Sequence, residues 1–299
     1  MLPDLFSLAL FVRIAETRSI TKAAEACHIA LAAASRRMSL LEHQYGVKLL
    51  ERTARGAELT PAGRALLHRA RQILSQAEQL RAELSEYSSG GKGHVRVQAS
   101  ASAISQYLPA DLASFSDVVP HAVIALEERF SGEIVQALRE GTTDVGVIME
   151  GMPLDGLEAF EYRTDQLVAV VPKGHALRGR NVTFSSLLDY DFVGLEDATA
   201  LTRLLIDQAA VVRKPLRARI QVHSFAALCK IIESGLGIGV LPEGAARLFA
   251  AAMRLRIIRL GEAWATRRMY VCYREYDALP AIARRLVDHL NSAAQAAGE

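Results

Sequence analysis

Apolar residues recur at helical spacing from the start of the chain. Phe6, Leu8, Phe11 and Val12 predict a first amphipathic helix with those side chains inward. Two shorter helical patterns follow and meet across a tight break at His28-Ile29. Ser19 or Thr21 can start the first of them, and its inner face is small (Ala23, Ala24), so a second helix can cross it closely. That second helix brings Ser35, Arg36 and Arg37 together, polar and basic groups that suit a DNA groove. The pair has the pattern of a helix-turn-helix. Tyr45-Gly46 breaks the pattern; Lys48–Glu51 then reads as a strand, Ala54-Arg55-Gly56 as a turn and Ala57–Leu59 as a return strand, together a β-wing. Thr60-Pro61 is a strong helix start, with Thr at the N-cap and Pro at the first helical position.

From Pro61 to about Ser88, Leu66, Ala70, Ile73, Ala77, Leu80, Leu84 and Tyr87 alternate spacings of four and three, an a/d heptad seam. Such a helix spans roughly 42 Å. That is too long for the edge of a small domain, so a dimer helix is favoured over an ordinary amphipathic one. Ser88-Ser89-Gly90-Gly91-Lys92-Gly93 has linker composition and marks a domain boundary. Beyond it, strands and helices alternate. Strands are predicted at His94–Ala99, His121–Glu127, Asp144–Met149, Gln166–Val171, Asp191–Val193, Arg217–Val222, Gly237–Leu241 and Arg268–Tyr273. Helices are predicted at Tyr107–Phe115, Ser131–Arg139 and Leu279–Leu290. This order points to α/β domains with mostly parallel sheets.

Charge sharpens the division. Residues 1–72 hold eleven basic residues against six acidic ones, +5 locally, in a chain whose net charge is +2. The remainder is therefore acidic, and a basic head on an acidic body suits a polyanion-binding module fused to something else. At 299 residues and 51% hydrophobic content, the chain is long enough for two or three domains and too apolar for global disorder. Cys27, Cys229 and Cys272 form no Cys-x-x-Cys pair, which reads as a reduced, cytoplasmic protein. The apolar stretch Leu5–Val12 follows Asp4 rather than a basic region and lacks a cleavage site, so it is no signal peptide. No apolar run reaches the ~20 residues of a membrane helix. Gly235–Gly239 precedes a strand instead of following one, which rules out a dinucleotide loop. Metal-binding His spacing and a Gly-x-Ser-x-Gly elbow are lacking, so neither an enzyme nor a cofactor is expected.

Ser19-Ile-Thr-Lys-Ala-Ala-Glu25, Ser35-Arg36, Leu41-Glu42, Gly46-Val-Lys-Leu-Leu-Glu-Arg-Thr53 and Leu59-Thr-Pro-Ala-Gly63 resemble, in order and spacing, a LysR-type transcriptional regulator. Asp144-Val-Gly-Val147, Val171-Pro-x-x-His175 and Ser234-Gly-Leu-Gly-Ile-Gly-Val-Leu-Pro242 extend the resemblance over the full length. The resemblance implies a winged helix-turn-helix over 1–60, a dimerising linker helix over 61–89 and an effector-binding domain over 90–299. The last would be a two-lobed α/β domain resembling periplasmic solute-binding proteins. Lobe 1 would take about 92–163 and 267–299, lobe 2 about 164–266, with crossings near Arg163–Gln166 and Ala263–Arg267. Members of the family typically form dimers of dimers on DNA. One departure is Ala30-Leu31-Ala32-Ala33, where the family usually begins its recognition helix with Ser-Gln-Pro or Ser-Gln-Ser. Leu31 cannot hydrogen-bond a base edge but can touch a thymine methyl. Arg37 stands where a Gln is common. Both shift affinity toward phosphate contacts and DNA shape.

The expected DNA contacts are Leu31, Ala33, Ser35, Arg36 and Arg37 on the recognition helix, against the alternative of a solvated basic face. Ser19, Thr21 and Lys22 would meet the phosphate backbone, although Ser19 can equally be only an N-cap. Arg52 and Arg55 flank the wing turn, where a cation can enter the minor groove or remain a surface charge. In the effector half, Ser100 and Ser102 follow the first strand, Phe130 and Ser131 open the helix after the second, and Thr199, Thr202, Ser224 and Phe225 open helices of lobe 2. Ligands of open α/β sheets bind beyond the carboxyl ends of strands. Hydroxyls and backbone N–H groups there favour an anionic or carboxylated effector; plain helix capping is the alternative for each. Phe130 makes the pocket more apolar than is usual for the family.

The resulting expectation is a homodimer through 61–88, further paired into a dimer of dimers, on a pseudo-palindromic double-stranded operator with half-sites ~34 Å or a multiple apart. A small-molecule effector closing the cleft would change the tetramer's geometry by binding one arrangement better than the other. RNA polymerase is a candidate further partner, and no membrane is expected. A solute-binding protein and an architectural DNA-binding protein are the rival classes. The basic N-terminal module argues against the first, and ligand screening separates the second.

Overall fold

The structure, a computed structural model, describes residues 3–53, 56–89, 93–197 and 199–298. The chain divides into two compact units, Met1–Lys92 with Arg139–Thr142, and Gly93–Leu138 with Thr143–Glu299.

The first unit opens with helix α1 (Leu5–Thr17), α2 (Ile20–Ala26) and α3 (Leu31–Tyr45). Strands β1 (Leu50–Thr53) and β2 (Gly56–Leu59) form an antiparallel hairpin, and α4 (Pro61–Ser89) follows. Asp4 caps α1, accepting from the Ser7 amide at 2.9 Å and from its hydroxyl at 2.7 Å. Those bonds from Ser7 hold its carboxyl below the usual range. The inward face of α1 differs from the sequence expectation. Leu8 and Phe11 are buried as expected, but Leu10 and Ile14 complete the face, while Phe6 is 40% exposed. Its ring lies instead under the Arg37 guanidinium, 4.8 Å from the centroid. Ala23 and Ala24 are buried where α2 meets its neighbours, and Ala34, Met38 and Leu41 fill the facing side of α3.

The hairpin begins two residues later than expected because Lys48 and Leu49 serve the helices. Thr60 donates to the Lys48 carbonyl at 2.7 Å and accepts from the Gly63 amide at 2.9 Å. A Cβ on Gly63 would collide with the Leu49 carbonyl oxygen, which accounts for glycine in Leu59-Thr-Pro-Ala-Gly63. Glu42 ties α3 to the wing through the Leu49 amide (2.9 Å), the Leu50 amide (3.2 Å) and the Lys48 ammonium (2.8 Å).

The second unit runs β3 (His94–Ala99), α5 (Ala101–Ile104), α6 (Leu108–Val118), β4 (Val123–Glu128), α7 (Ser131–Glu140), β5 (Val145–Met149) and the long β6 (Glu158–Pro172). It continues with β7 (Asn181–Val182), α8 (Phe184–Leu187), β8 (Phe192–Leu195), α9 (Ala200–Val211), β9 (Ala218–Val222) and α10 (Phe225–Glu233). It ends with β10 (Gly239–Pro242), α11 (Glu243–Ala250), β11 (Leu255–Leu260), β12 (Thr266–Tyr273) and α12 (Ala281–Gly298). The main sheet has the order β4-β3-β5-β12-β6-β11-β7, with β10 also on β6; β8 and β9 pair separately.

The sheets are mixed, not mostly parallel. β3 lies parallel to β4 and β5, and β8 to β9, but β12 and β6 run antiparallel over their shared length. Two strands that carry the chain out to a second lobe and back must point in opposite directions. The hydrophobic cores confirm two lobes within this unit. The first half of β6 (Tyr162) and most of β12 (Met269, Val271) join β3, β5 and α12 in one cluster. Leu167–Val171, the second half of β6, joins β8, α10, β10 and β11 in another. Between these halves, Thr266 pairs with Gln166 and Arg267 with Asp165.

Candidate DNA interface and effector cleft

On α3, Leu31, Ala32, Ala33, Arg36, Ser39, Leu40 and His43 are exposed, one face recurring at three- and four-residue steps. Ser35 is half-buried. Arg37 turns away from that face. Its Nη1 lies 3.3 Å from Asp4 Oδ1 and 3.1 Å from the Ser7 hydroxyl, so it braces the start of α1. On α2, Thr21 and Lys22 are exposed, and Ser19 is the N-cap, accepting from the Lys22 amide at 3.2 Å. Arg52 belongs to β1, and Arg55 lies outside the described residues. Ser39 and Leu40 extend the exposed face beyond the predicted set; carrying the spacing of Ala33 and Arg36 forward finds them.

In the second unit, Ser100, Ser102, Phe130, Ser131, Thr199 and Phe225 converge on one cavity of about 270 Å³. Thr202 and Ser224 do not line it. Thr202 is buried with its hydroxyl on the Leu195 carbonyl (3.0 Å), and Ser224 caps α10, accepting from the Ala227 amide. Capping also occupies Thr199, which accepts from the Thr202 amide at 3.0 Å, and Ser131 accepts from the Met149 amide at 3.2 Å. The Ser100 amide is engaged by the Val147 carbonyl, so it offers no free N–H to a ligand.

Sequence reasoning missed the charged members of the lining: Glu128, Arg129, Glu133, Glu196, His223 and Arg267. Arg267 is 4% exposed and forms an ion pair with the fully buried Asp165. A buried charge requires such a partner. The signal was one basic residue at a predicted lobe crossing, on a strand whose next inward positions are Met269 and Val271. Gln106 reinforces this junction. Its amide donates to the Ser102 carbonyl (3.1 Å) and to Asp165 (3.2 Å), and its oxygen accepts from the Gly244 amide at the start of α11 (3.1 Å). One side chain thus links the cavity floor, the crossing strand and the second lobe.

Cys229 on α10 and Cys272 on β12 are fully buried, and burial pushes both thiols up to about 12. Neither is poised as a reactive thiolate. Among the described residues, no helix is long and apolar enough to cross a membrane.

An exposed cationic helix face in one unit and a lined two-lobe cavity in the other define a DNA-binding regulator that carries a ligand domain. Residues 5–64 match the family described as "Bacterial regulatory helix-turn-helix protein, lysR family", and residues 88–295 match the "LysR substrate binding domain". The chain belongs to the LysR family: it is a DNA-binding transcriptional regulator with an effector-binding domain, and not an enzyme. It is 32% identical over 253 residues to the nitrogen assimilation regulatory protein nac of Escherichia coli (strain K12), covering 82% of this chain and 80% of that protein. Its fold resembles the crystal structure of CbnR, a LysR family transcriptional regulator (TM-score 0.72, 23% identity, 97% of this chain and 99% of that one). Full-length CbnR complexed with its target DNA is similar at TM-score 0.70, with 23% identity over 97% of this chain and 100% of that one.

Proposed function

We propose that residues 1–60 read a pseudo-palindromic operator, that 61–89 pair two chains, and that 90–299 sense a small molecule in the cavity lined by Ser100 and Phe225. The observation that carries the DNA half is the exposed face of α3 with Arg36 at its centre. Leu31 and Ala33 lie on that face for apolar contact with bases. Ser35 reaches its edge, and Ser19, Thr21 and Lys22 meet phosphates. Arg37 supports the interface by bracing α1, with its partly exposed guanidinium adding positive potential. Arg52 and Arg55 flank the wing turn in sequence, where a cation can enter the neighbouring minor groove.

Pairing is supported by Ile73, Leu80 and Leu84, which are 41%, 57% and 60% exposed along one seam of α4. Large apolar groups at heptad spacing on an exposed helix call for a second copy. Two such dimers then form the tetramer that bridges neighbouring half-sites, and the assembled regulator contacts RNA polymerase in the cytoplasm. In the cavity, Ser100, Ser102, Phe130, Ser131, Thr199 and Phe225 hold the effector. Thr202 and Ser224 act one layer behind, fixing the helix starts. The effector shifts the lobes through the Gln106–Asp165–Arg267 junction.

A gel shift on the chain's own upstream promoter across several salt concentrations tests the DNA half. Arg36→Ala should weaken binding and reduce the log–log salt slope by about 0.9 for each protomer bound to the operator. Unchanged affinity and slope would remove Arg36 from the interface.

A further inference from the structure

The polar groups of the cavity are of two opposite kinds, and they sit at neighbouring places. On the floor, Ser100 Oγ and Arg267 Nε have no hydrogen-bond partner among the described residues. Both side chains line the cavity and are more than nine-tenths buried, at 7% and 4% exposure. Two buried donors without acceptors are costly unless a ligand supplies one. A carboxylate offers two oxygens to them.

The net charge of the lining runs the other way. Glu128, Glu133 and Glu196 all border the cavity. Arg267 is balanced by Asp165, and Arg129 is taken by Glu127 at 3.3 Å. Glu196 faces His223 at 2.6 Å, which neutralises it only when the imidazole is protonated. Glu128 has no ion-pair or side-chain hydrogen-bond partner among the described residues. A purely anionic ligand would enter against these carboxylates, and a purely cationic one would leave the floor donors unmet.

Register brings the two kinds together. Glu128 is the cross-strand partner of Ala99, the residue just before Ser100, and parallel strands lie about 4.8 Å apart. Glu128 and Ser100 are therefore backbone neighbours at the same end of adjacent strands, and both line the cavity. The remaining wall, including Phe130, Met149, Leu195, Leu201 and Phe225, is apolar. The volume of about 270 Å³ lies at the small end of ligand sites.

We infer that the effector is a free α-amino acid with an apolar side chain, its carboxylate on Ser100 and Arg267 and its ammonium on Glu128. This rests on the reading of the cavity as the effector site. The apolar side chain packs between Phe130 and Phe225, one from each lobe, so occupancy draws on both lobes at once.

The test is calorimetric titration of the full-length protein with the apolar proteinogenic L-α-amino acids. Their desamino and decarboxylated counterparts follow, isocaproate and isoamylamine for leucine, hydrocinnamate and phenethylamine for phenylalanine. At least one amino acid should bind, and loss of either charged end should weaken it at least about tenfold, on the order of 1.4 kcal/mol. Glu128→Gln, a surface change that leaves folding intact, should weaken the amino acid about tenfold and leave the desamino acid unchanged. Ser100→Ala should weaken both. The inference is overturned if no amino acid of the panel binds, or if a desamino acid binds as tightly as its parent. A desamino acid that binds as tightly as its parent and is weakened by Ser100→Ala would leave the cavity as effector site and sink only the zwitterion. Binding that neither Ser100→Ala nor Phe225→Ala alters would sink the cavity reading itself.

Discussion

Arg36 and Arg267 carry the same guanidinium in opposite settings. Arg36 stands exposed on α3, while Arg267 lies buried on β12 against Asp165. In water a cation costs little to keep, and it attracts a polyanion over roughly a Debye length. Inside a lobe junction every charge needs a counter-charge in contact, so an arginine there becomes part of the fold before it can serve a ligand. The DNA-binding unit can therefore show its function on its surface. The effector unit uses most of its polar groups internally, as caps for Thr199 and Ser224 and as lobe links for Gln106.

The largest expected effect breaks the buried side of this contrast. Arg267→Met leaves the Asp165 carboxylate buried without a counter-charge, with only the Gln106 amide on it, and should cost about 3–5 kcal/mol in urea denaturation. Arg267→Met with Asp165→Leu should recover much of that loss. If the single variant is as stable as the parent, the junction does not hold the lobes together. Next comes a position that is exposed in one chain and becomes buried on pairing. Leu80→Asp should shift the protein to monomer in sedimentation, because two carboxylates would face each other in the seam. A variant that remains dimeric refutes the seam.

Glu42 lies between the two settings. Burial pushes its carboxyl up, but the bonds from Lys48, Leu49 and Leu50 outweigh it and hold the group below 4.5. A depressed folded value means stability that is present above the unfolded value and lost as pH falls through the folded one. Stability should therefore decline below about pH 4.5, and Glu42→Gln should flatten that acid limb while lowering stability at neutral pH. An unchanged limb would show that Glu42 does not anchor the wing. The smallest effect is expected at Arg37, whose pair with Asp4 is solvent-exposed. Arg37→Ala should cost about 0–1 kcal/mol. A larger loss would place Arg37 with the buried class.

The alternation of apolar residues in His94–Ala99 and the Thr60-Pro61 helix start depend on neighbours in the chain, and both elements form where sequence placed them. The same holds for α3, whose αL cap at Gly46 is the break seen in the sequence. β11 escaped notice because Leu255–Leu260 breaks the two-residue alternation of a strand, with Ile257 and Ile258 adjacent and Arg256 and Arg259 three apart as on a helix. The face of α1 was misjudged at Phe6 because the competing partner, Arg37, lies on another helix.

What the chain alone determined was the division into a cationic reader and an α/β body, since composition, caps and periodicity are local properties. What tertiary structure alone decided was which polar groups remain available. Ser100 keeps an unpaired hydroxyl and Thr202 does not; Arg36 stays in water and Arg267 is locked. That outcome depends on partners dozens of residues away, as Asp165 is from Arg267, and on the low dielectric that makes each such partnership obligatory.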